Sequence, residues 1–275
     1  MPPALLFLGL MVARCGLGAD VPVPRAEPVY TVASIVNAAD NQSDKLAPNT
    51  IATIYGANLA YSTAGITAGD VHGGVLPIML GASETTVIIG NSPAGLFYVS
   101  PGQINFLVPP NLLPGPVTVY VDVDGSDGSK GPVPLTLARA APALFQLESA
   151  SGSMEAVATQ VDGSLLTSSS PAKPGDVVVL WATGLGATEA PQPDNYLQVP
   201  TAAAPLVAGA NLSILLDGVA VPSSAIDYAG VAPGYGGLYQ INLTLPKSTG
   251  KNPEIRLQLD GAISVPKVYL PVVLN

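Results

Sequence analysis

The sequence is poor in charged residues, cysteine and histidine. Of its 275 residues 11% are charged, and it contains one cysteine, one histidine and one tryptophan. A single cysteine excludes an intramolecular disulfide and a site built from several thiolates. Disordered chains combine low hydrophobicity with high net charge, whereas this chain is 48% hydrophobic. We therefore expect a folded protein with a substantial core.

Basic residues are also scarce, and this limits the partners. Ten basic residues face nineteen acidic ones, which gives a formal net charge of −9. Such a surface repels phosphate backbones and anionic lipid headgroups, so no nucleic-acid partner is expected. Beyond the N-terminus, Pro, Gly or a charge interrupts every hydrophobic run within about ten residues, so no membrane span is expected.

The N-terminus predicts export. Residues 4–13 form an apolar run that is too short to span a bilayer as a helix but suits the core of a signal peptide. Small residues follow, and we expect cleavage between Ala19 and Asp20, which makes residues 1–19 the signal peptide. No Lys or Arg precedes the run, which leaves open a start codon further upstream.

Cys15 offers an alternative, because lipoproteins are anchored through a cysteine near this position. Arg14 stands directly before it, where a small residue is expected. Cleavage after Ala19 removes both residues, which leaves the mature chain without a thiol and lowers its formal charge from −9 to −10. The predicted location is extracellular or in the cell envelope.

Short runs of alternating residues predict an all-β fold. Residues 117–124 place four valines on one face and Thr, Tyr and two Asp on the other, which is typical of a half-buried antiparallel strand. The 29 glycines and 28 prolines are scattered, as expected for many short strands joined by turns. Further strand-like runs occur at 51–55, 86–89, 104–108, 133–137, 177–181, 212–216, 239–245 and 255–259.

The chain repeats itself. Residues 48–59 align with 174–185, and residues 103–109 align with 240–246. Asn58 and Gly184 occupy the same place, and both residue types tolerate a positive φ. The repeat predicts two tandem immunoglobulin-like (IPT/TIG-like) antiparallel β-sandwiches.

The two alignments set the domain boundaries. Their offsets are 126 and 137, so the second half has eleven extra residues between them. We place the first domain at residues 20–139 and the second at 140–275.

Several motifs resemble one known family. They include Ser34-Ile35-Val36-Asn37-Ala38-Ala39, Ile54-Tyr55-Gly56-Ala57-Asn58-Leu59, Ser100-Pro101-Gly102-Gln103-Ile104-Asn105-Phe106 and Tyr228-Ala229-Gly230-Val231-Ala232-Pro233-Gly234. In this order they resemble the Solibacter uncharacterised C-terminal domain family of exported bacterial proteins. Each half also resembles IPT/TIG immunoglobulin-like domains. These resemblances imply export and an immunoglobulin-like fold but supply no catalytic residues and no ligand.

Aromatic residues of the second half are candidate ligand contacts. Tyr235 lies in a Gly-rich segment, residues 232–239, that is longer than its counterpart in the first half. An exposed tyrosine on such a loop offers contact area at a small entropic cost. We therefore name Tyr228, Tyr235 and Tyr239 as candidate ligand-binding residues; packing of this loop against the protein is the alternative.

Three aspartates around one turn are a candidate calcium site. Asp122, Asp124 and Asp127 offer the oxygen ligands that Ca²⁺ prefers. Their spacing does not match an EF-hand loop, and a hairpin with an acidic turn is the simpler interpretation. Weak calcium binding is the one cofactor that the sequence suggests.

No catalytic constellation is evident. His72 lies in a Gly-rich loop, and the sequence contains no Gly-x-Ser-x-Gly nucleophile elbow. Ser170 and Lys173 have the Ser-x-x-Lys spacing of penicillin-recognising enzymes, but prolines flank the segment and the companion motifs are missing.

Three functions remain. The first is a non-enzymatic extracellular or cell-envelope module for interaction, adhesion or structure. The second is a carbohydrate-binding accessory module that uses Tyr235. The third is a hydrolase with a site between the two halves, where clefts often lie. The partner expected from the first two is an extracellular protein or polysaccharide.

The signal-peptide interpretation makes a direct prediction. Exported protein should begin near Asp20, because signal peptidase cleaves after small residues such as Ala19. Intact-mass measurement of the exported material tests this. A mass that retains Met1 would contradict the interpretation.

Overall fold

A computed structural model describes residues 26–43, 45–124, 132–189 and 195–274. Within these residues the regular structure consists of 22 β-strands and three short 3₁₀ helices, Val32–Ser34, Gly209–Asn211 and Ser223–Ala225. The prediction of an all-β protein is confirmed. None of the helices in this part of the chain is long enough to cross a membrane. The predicted signal peptide, Cys15 and Asp127 lie outside the described residues.

The first half, residues 26–139, is a β-sandwich. Its strands are β1 Ile35–Asn37, β2 Ile51–Tyr55, β3 Ala64–Gly65, β4 Thr85–Ile89, β5 Ser92–Pro93, β6 Gly95–Ser100, β7 Gln103–Leu107, β8 Gly115–Val123 and β9 Val133–Leu137. They form two sheets with the strand orders β1-β2-β7-β6-β3 and β5-β4-β8-β9. Alternate residues of both sheets, such as Ile104, Phe106 and Val121, bury a common apolar core.

The second half, residues 140–274, repeats this plan. Its strands are β10 Ala143–Leu144, β11 Gln146–Glu148, β12 Met154–Ala156, β13 Ala158–Gln160, β14 Val177–Thr183, β15 Ala204–Pro205, β16 Ser213–Leu216, β17 Val219–Ala220, β18 Ile226–Val231, β19 Tyr239–Thr244, β20 Ile255–Leu259, β21 Ala262–Ile263 and β22 Val268–Tyr269. One sheet has the order β10-β14-β19-β18-β15, with β13 also paired to β14, and the other has the order β17-β16-β20-β21. Ile241, Leu243 and Leu245 contribute to its core.

The repeat extends to the pairing register. Ile54 lies opposite Ile104 between β2 and β7, and Leu180 lies opposite Ile241 between β14 and β19. These two pairs are related by the offsets of 126 and 137 found in the sequence. A register shift also occurs at the same place in both halves, between β6 and β7 and between β18 and β19. The alignment therefore identified structurally equivalent strands.

The predicted backbone bend is present in both halves. Asn58 has a φ of 57° and Gly184 a φ of 77°, which is the left-handed region. At position 184 a side chain would also have no space, since a Cβ there would lie 2.1 Å from the Ala141 carbonyl oxygen. Asparagine suffices in the first half, whereas glycine is required in the second.

The second half has one sheet without a counterpart among the described residues of the first. Strands β11, β12 and β22 form it, and β12 pairs with β22 in parallel, with Met154 opposite Val268. This pairing fastens the last strand to the beginning of the second half. Strand β9 ends at Leu137 and β10 begins at Ala143, and we propose the division between the halves at residues 139 and 140, within this interval.

A third apolar cluster lies between the two halves. From the first half it takes Ala39, Ile51, Leu76, Phe97 and Leu107. From the second half it takes Ala143, Phe145, Val157, Val179, Trp181, Leu197, Val199, Ala232 and Leu238. All of these side chains are at most 8% exposed. We call this cluster the joint.

Buried hydrogen bonds connect the two halves at Tyr239. Its side chain is fully buried, and its hydroxyl accepts a hydrogen bond of 2.8 Å from Nδ2 of Asn49 in the first half. The same hydroxyl donates to the carbonyl oxygen of Gly186. Burial raises the pKa of Tyr239 well above its ordinary value, so the phenol remains a neutral donor.

Thr183 makes a second polar connection. Its hydroxyl accepts a hydrogen bond of 2.8 Å from the backbone N–H of Ile51 and donates one of 2.7 Å to the carbonyl of Gly237. Gly237 has a φ of +71°, and a Cβ there would lie 2.6 Å from a side-chain carbon of Leu107. The halves approach this closely because the residue has no side chain.

Tyr239→Phe should therefore lower the free energy of unfolding. The substitution leaves the Asn49 amide and the Gly186 carbonyl buried without this partner, which costs about 1–3 kcal/mol. Urea denaturation measures the loss. Tyr61→Phe is the matched control, since Tyr61 is partly buried against the first core and none of the hydrogen bonds found among the described residues uses its hydroxyl. Equal stability of the two variants would contradict the role given to Tyr239.

Candidate functional site

A segment of the second half lies across the first half. Leu197 accepts a backbone hydrogen bond of 3.0 Å from the N–H of Leu76, and the N–H of Val199 donates one of 2.9 Å to Gly74. This segment, residues 195–200, thus forms strand-like contacts with a loop of the first half. The two halves are thus connected through backbone groups as well as through buried side chains.

A groove runs beside this segment, at the edge of the joint. It consists of two adjoining cavities of about 540 Å³ and about 320 Å³ that share Pro110 and Tyr196. Residues from the first half that line it are Pro48, Asn49, Leu107, Pro110, Asn111, Leu112, Leu113, Pro114 and Arg139. We call it the inter-half groove. Its size is that of a small binding site, and it lies where two units meet, as such sites often do.

The groove is apolar and nearly uncharged. Arg139 and Tyr196 are the ionisable side chains among the described residues that line it, which include no carboxylate, histidine or cysteine. The Tyr196 hydroxyl donates a hydrogen bond of 2.9 Å to the carbonyl of Pro93, and burial raises its pKa. Leu113, on a proline-flanked loop at the rim, is 81% exposed. This lining offers shape and apolar contact instead of acid–base chemistry.

The three tyrosines named from the sequence do not form one exposed surface. Tyr239 is fully buried in the core of the second half, where it cannot contact a macromolecule. The Tyr228 hydroxyl accepts from the N–H of Ala204 at 3.1 Å and donates to the carbonyl of Val231 at 3.0 Å, so it connects strands. Tyr235 is partly buried against the joint, and burial raises its pKa. A ligand contact by Tyr235 stays a prediction.

Two of the three candidate aspartates, Asp122 and Asp124, lie at the end of β8. Asp122 lies opposite Thr86 in the ladder with β4, and Asp124 follows the strand with a φ of 61°. Asp127 lies outside the described residues. Among the residues that are described, no three His, Cys, Asp or Glu side chains cluster in a way that could hold a metal ion.

His72 and the Ser-x-x-Lys segment of Ser170 and Lys173 both lie in loops. His72 is exposed in a turn and pairs through its backbone with Val75. Ser170 lies in a tight turn with Thr167, and the Lys173 N–H donates to the Asp176 carboxylate. The Ser-x-x-Lys segment is therefore a loop, so it does not place Ser170 and Lys173 one helical turn apart.

Sequence reasoning missed the residues that build the groove. Tyr196 and Leu113 stand in irregular segments outside the repeat, so no periodicity draws attention to them. Leu113 had one usable signal, since a leucine between Asn111 and Pro114 falls in a loop where burial is not expected. For Tyr196 we find no such signal.

The comparison with known families recognises a part of the first half. Residues 43–137 match the IPT/TIG domain. These residues run from just before β2 to the end of β9, which is most of the first sandwich. The predicted IPT/TIG-like character is confirmed there. No curated protein matches the sequence.

Among solved structures, distant likenesses are found. A surface glycan-binding protein of Prevotella bryantii shares 12% identity over 88% of this chain and 42% of its own, with a TM-score of 0.26. The SGBP-B of the Bacteroides ovatus mixed-linkage glucan utilization locus, solved with a heptasaccharide, shares 11% over 84% of this chain and 45% of its own, with a TM-score of 0.31. The Escherichia coli adhesin FdeC shares 12% over 84% of this chain and 62% of its own, with a TM-score of 0.24. The chain thus spans less than two thirds of each.

Chelation tests the calcium hypothesis. If Asp122 and Asp124 belong to an acidic hairpin turn only, EDTA should leave the midpoint of thermal unfolding unchanged, because no bound ion contributes to stability. Differential scanning calorimetry with and without EDTA measures this. A drop of several degrees that added Ca²⁺ reverses would instead establish a calcium site.

Proposed function

We propose that this chain is a non-enzymatic extracellular binding module, and that its inter-half groove binds a protein partner. The observation that carries the proposal is the groove itself, an apolar cleft formed by two sandwiches that are joined through buried hydrogen bonds. A cleft built on a fixed joint needs little reorganisation on binding, so little affinity is lost to ordering.

The lining favours a protein over other partners. Leu112, Leu113 and the surrounding prolines offer apolar contact to the side chains of a partner, whereas a sugar chain would leave many hydroxyls unpaired in this part of the groove. The exposed Leu113 would bury most of its surface in such a complex. Protein interfaces commonly place an apolar anchor of this kind beside a polar rim, and Asn111 and Arg139 supply that rim.

The chemistry of the groove does not support the hydrolase alternative. General acid–base catalysis needs a carboxylate, histidine or similar group within hydrogen-bond reach of the substrate. The described lining residues contribute Arg139 and Tyr196 as their ionisable groups, and the Tyr196 hydroxyl is already bonded to Pro93. A binding role needs only the shape and the apolar lining of the groove, and it requires no acid or base there.

Export is part of the proposal and rests on the sequence. The apolar N-terminal run and the small residues before Asp20 support it. The resemblance to the Solibacter family of exported proteins also supports export, and membership of that family is likewise a proposal. A protein without disulfides can persist outside the cell when its cores are large, and this chain has two cores and a buried joint.

A photo-crosslinker tests the proposed site. Benzoylphenylalanine placed at position 113 of the full chain should yield one discrete protein adduct when the protein is incubated with the surface fraction of its source cells. Val161 is the matched control position, since it is 74% exposed against 81% for Leu113 and does not line the groove. The purified partner should then bind the native chain and lose at least about tenfold in affinity for Leu113→Asp.

Three outcomes would contradict the proposal. The first is that positions 113 and 161 give the same adducts or none. The second is that the adduct joins two copies of the chain, which would make the groove a self-association surface. The third is turnover of esters, glycosides or peptides by purified protein, which would show an enzyme.

A further inference from the structure

Uncharged polar side chains surround an exposed tyrosine at one end of the first sandwich. Tyr55, at the end of β2, is 43% exposed, and Gln103 lies directly opposite it on β7. Ser100 on β6 lies opposite Gln103 in turn, and the Tyr55 hydroxyl donates a hydrogen bond of 3.3 Å to Oδ1 of Asn41. We call Asn41, Tyr55, Ser100 and Gln103 the Tyr55 surface. It lies at the opposite end of β2 and β7 from the inter-half groove.

The repeat shows that this exposure is peculiar to the first half. Trp181 occupies the place of Tyr55 and lies opposite Gln240, as Tyr55 lies opposite Gln103. Trp181 is only 8% exposed, because it is packed in the joint with Phe145 and Val157. The same sheet position thus serves packing in one half and carries an exposed aromatic ring in the other.

The Tyr55 surface is held rigidly. The loops that flank it are tied by backbone hydrogen bonds, from Gly56 N–H to the carbonyl of Gly102 at 3.1 Å and from Leu59 N–H to that of Pro101 at 3.0 Å. The bond to Asn41 orients the Tyr55 ring. Because these groups are already ordered, a ligand would pay little conformational entropy here.

The surface also has hydrogen-bonding capacity to spare. Nε2 of Gln103 donates 2.9 Å to Oδ1 of Asn105, and Thr53 donates to the same oxygen at 3.0 Å. These bonds hold the Gln103 amide in place and leave its Oε1 without a partner among the described residues. Nδ2 of Asn41 likewise has no partner among them. A free amide acceptor and a free amide donor therefore lie beside the exposed ring.

We propose that the Tyr55 surface binds an uncharged polysaccharide. A sugar ring presents a face of C–H groups, which packs on the Tyr55 ring, and an edge of hydroxyls, which both donate and accept, as Gln103 Oε1 and Asn41 Nδ2 require. None of the four residues of the surface is charged, so an anionic polysaccharide would find no cation there. The net charge of −9 disfavours such a ligand further.

Affinity electrophoresis tests the proposal with the full chain. Native gels would contain soluble neutral polysaccharides with glucan, mannan or xylan backbones, one in each gel. At least one of them should retard the protein, and Tyr55→Ala should weaken that retardation about tenfold or more. Tyr55→Phe keeps the ring and should retain most of the retardation. Gln103→Ala should weaken it as well.

Leu113→Ala serves as a control that separates this proposal from the protein-binding groove. It should leave the retardation unchanged, while thermal unfolding verifies that each variant is folded. The proposal is overturned if none of the polysaccharides retards the native chain, or if Tyr55→Ala is retarded like the native chain. Loss of retardation in Leu113→Ala instead would assign the sugar to the groove. Each of these results can occur whether or not the groove binds a protein.

Discussion

The hydroxyl of Tyr239, buried between Asn49 and the carbonyl of Gly186, is the contact on which the arrangement of the two halves depends. A phenol in a dry interface must keep its hydrogen bonds, since an unpaired polar group there costs free energy that apolar packing does not recover. The bond also has a direction, which apolar packing lacks. It therefore favours the relative position of the halves in which the inter-half groove is formed.

Around this contact, the joint covers the outer face of the sheet that contains β14, which would face water in a single sandwich. Val179 and Trp181 alternate along β14 with residues of the second core, so they belong to the outer face of that sheet. In the first half the corresponding positions hold Thr53 and Tyr55. The second half thus carries apolar residues where its outer face meets the joint, whereas the first half keeps polar ones. Equivalent sheet positions are therefore buried at the joint in the second half, at Trp181, and exposed in the first, at Tyr55.

The difference between the covered outer face of the second half and the open one of the first explains which features could be predicted from the sequence. Alternation identified most of the longer strands, and the repeat identified which strands of the two halves are equivalent, because those features depend on local sequence. The register of Ile54 with Ile104 and of Leu180 with Ile241 is seen only in the structure. Tyr239 was named as a candidate contact because it borders the Gly-rich segment of the second half, and the structure buries it in the core of that half. The sequence could not distinguish Tyr239 from Tyr55, since both end or begin a strand and only the packing of the halves separates them.

By itself, the sequence determined that the protein is all-β, that it consists of two related sandwiches, and that Asn58 and Gly184 share a bend. These follow from side-chain periodicity and from the conformations that asparagine and glycine tolerate. Only the tertiary structure decided that Trp181 is covered while Tyr55 is exposed, and that Leu113 borders a groove. The reason is physical: exposure depends on what another part of the chain places over a residue, and that contact lies far away in sequence.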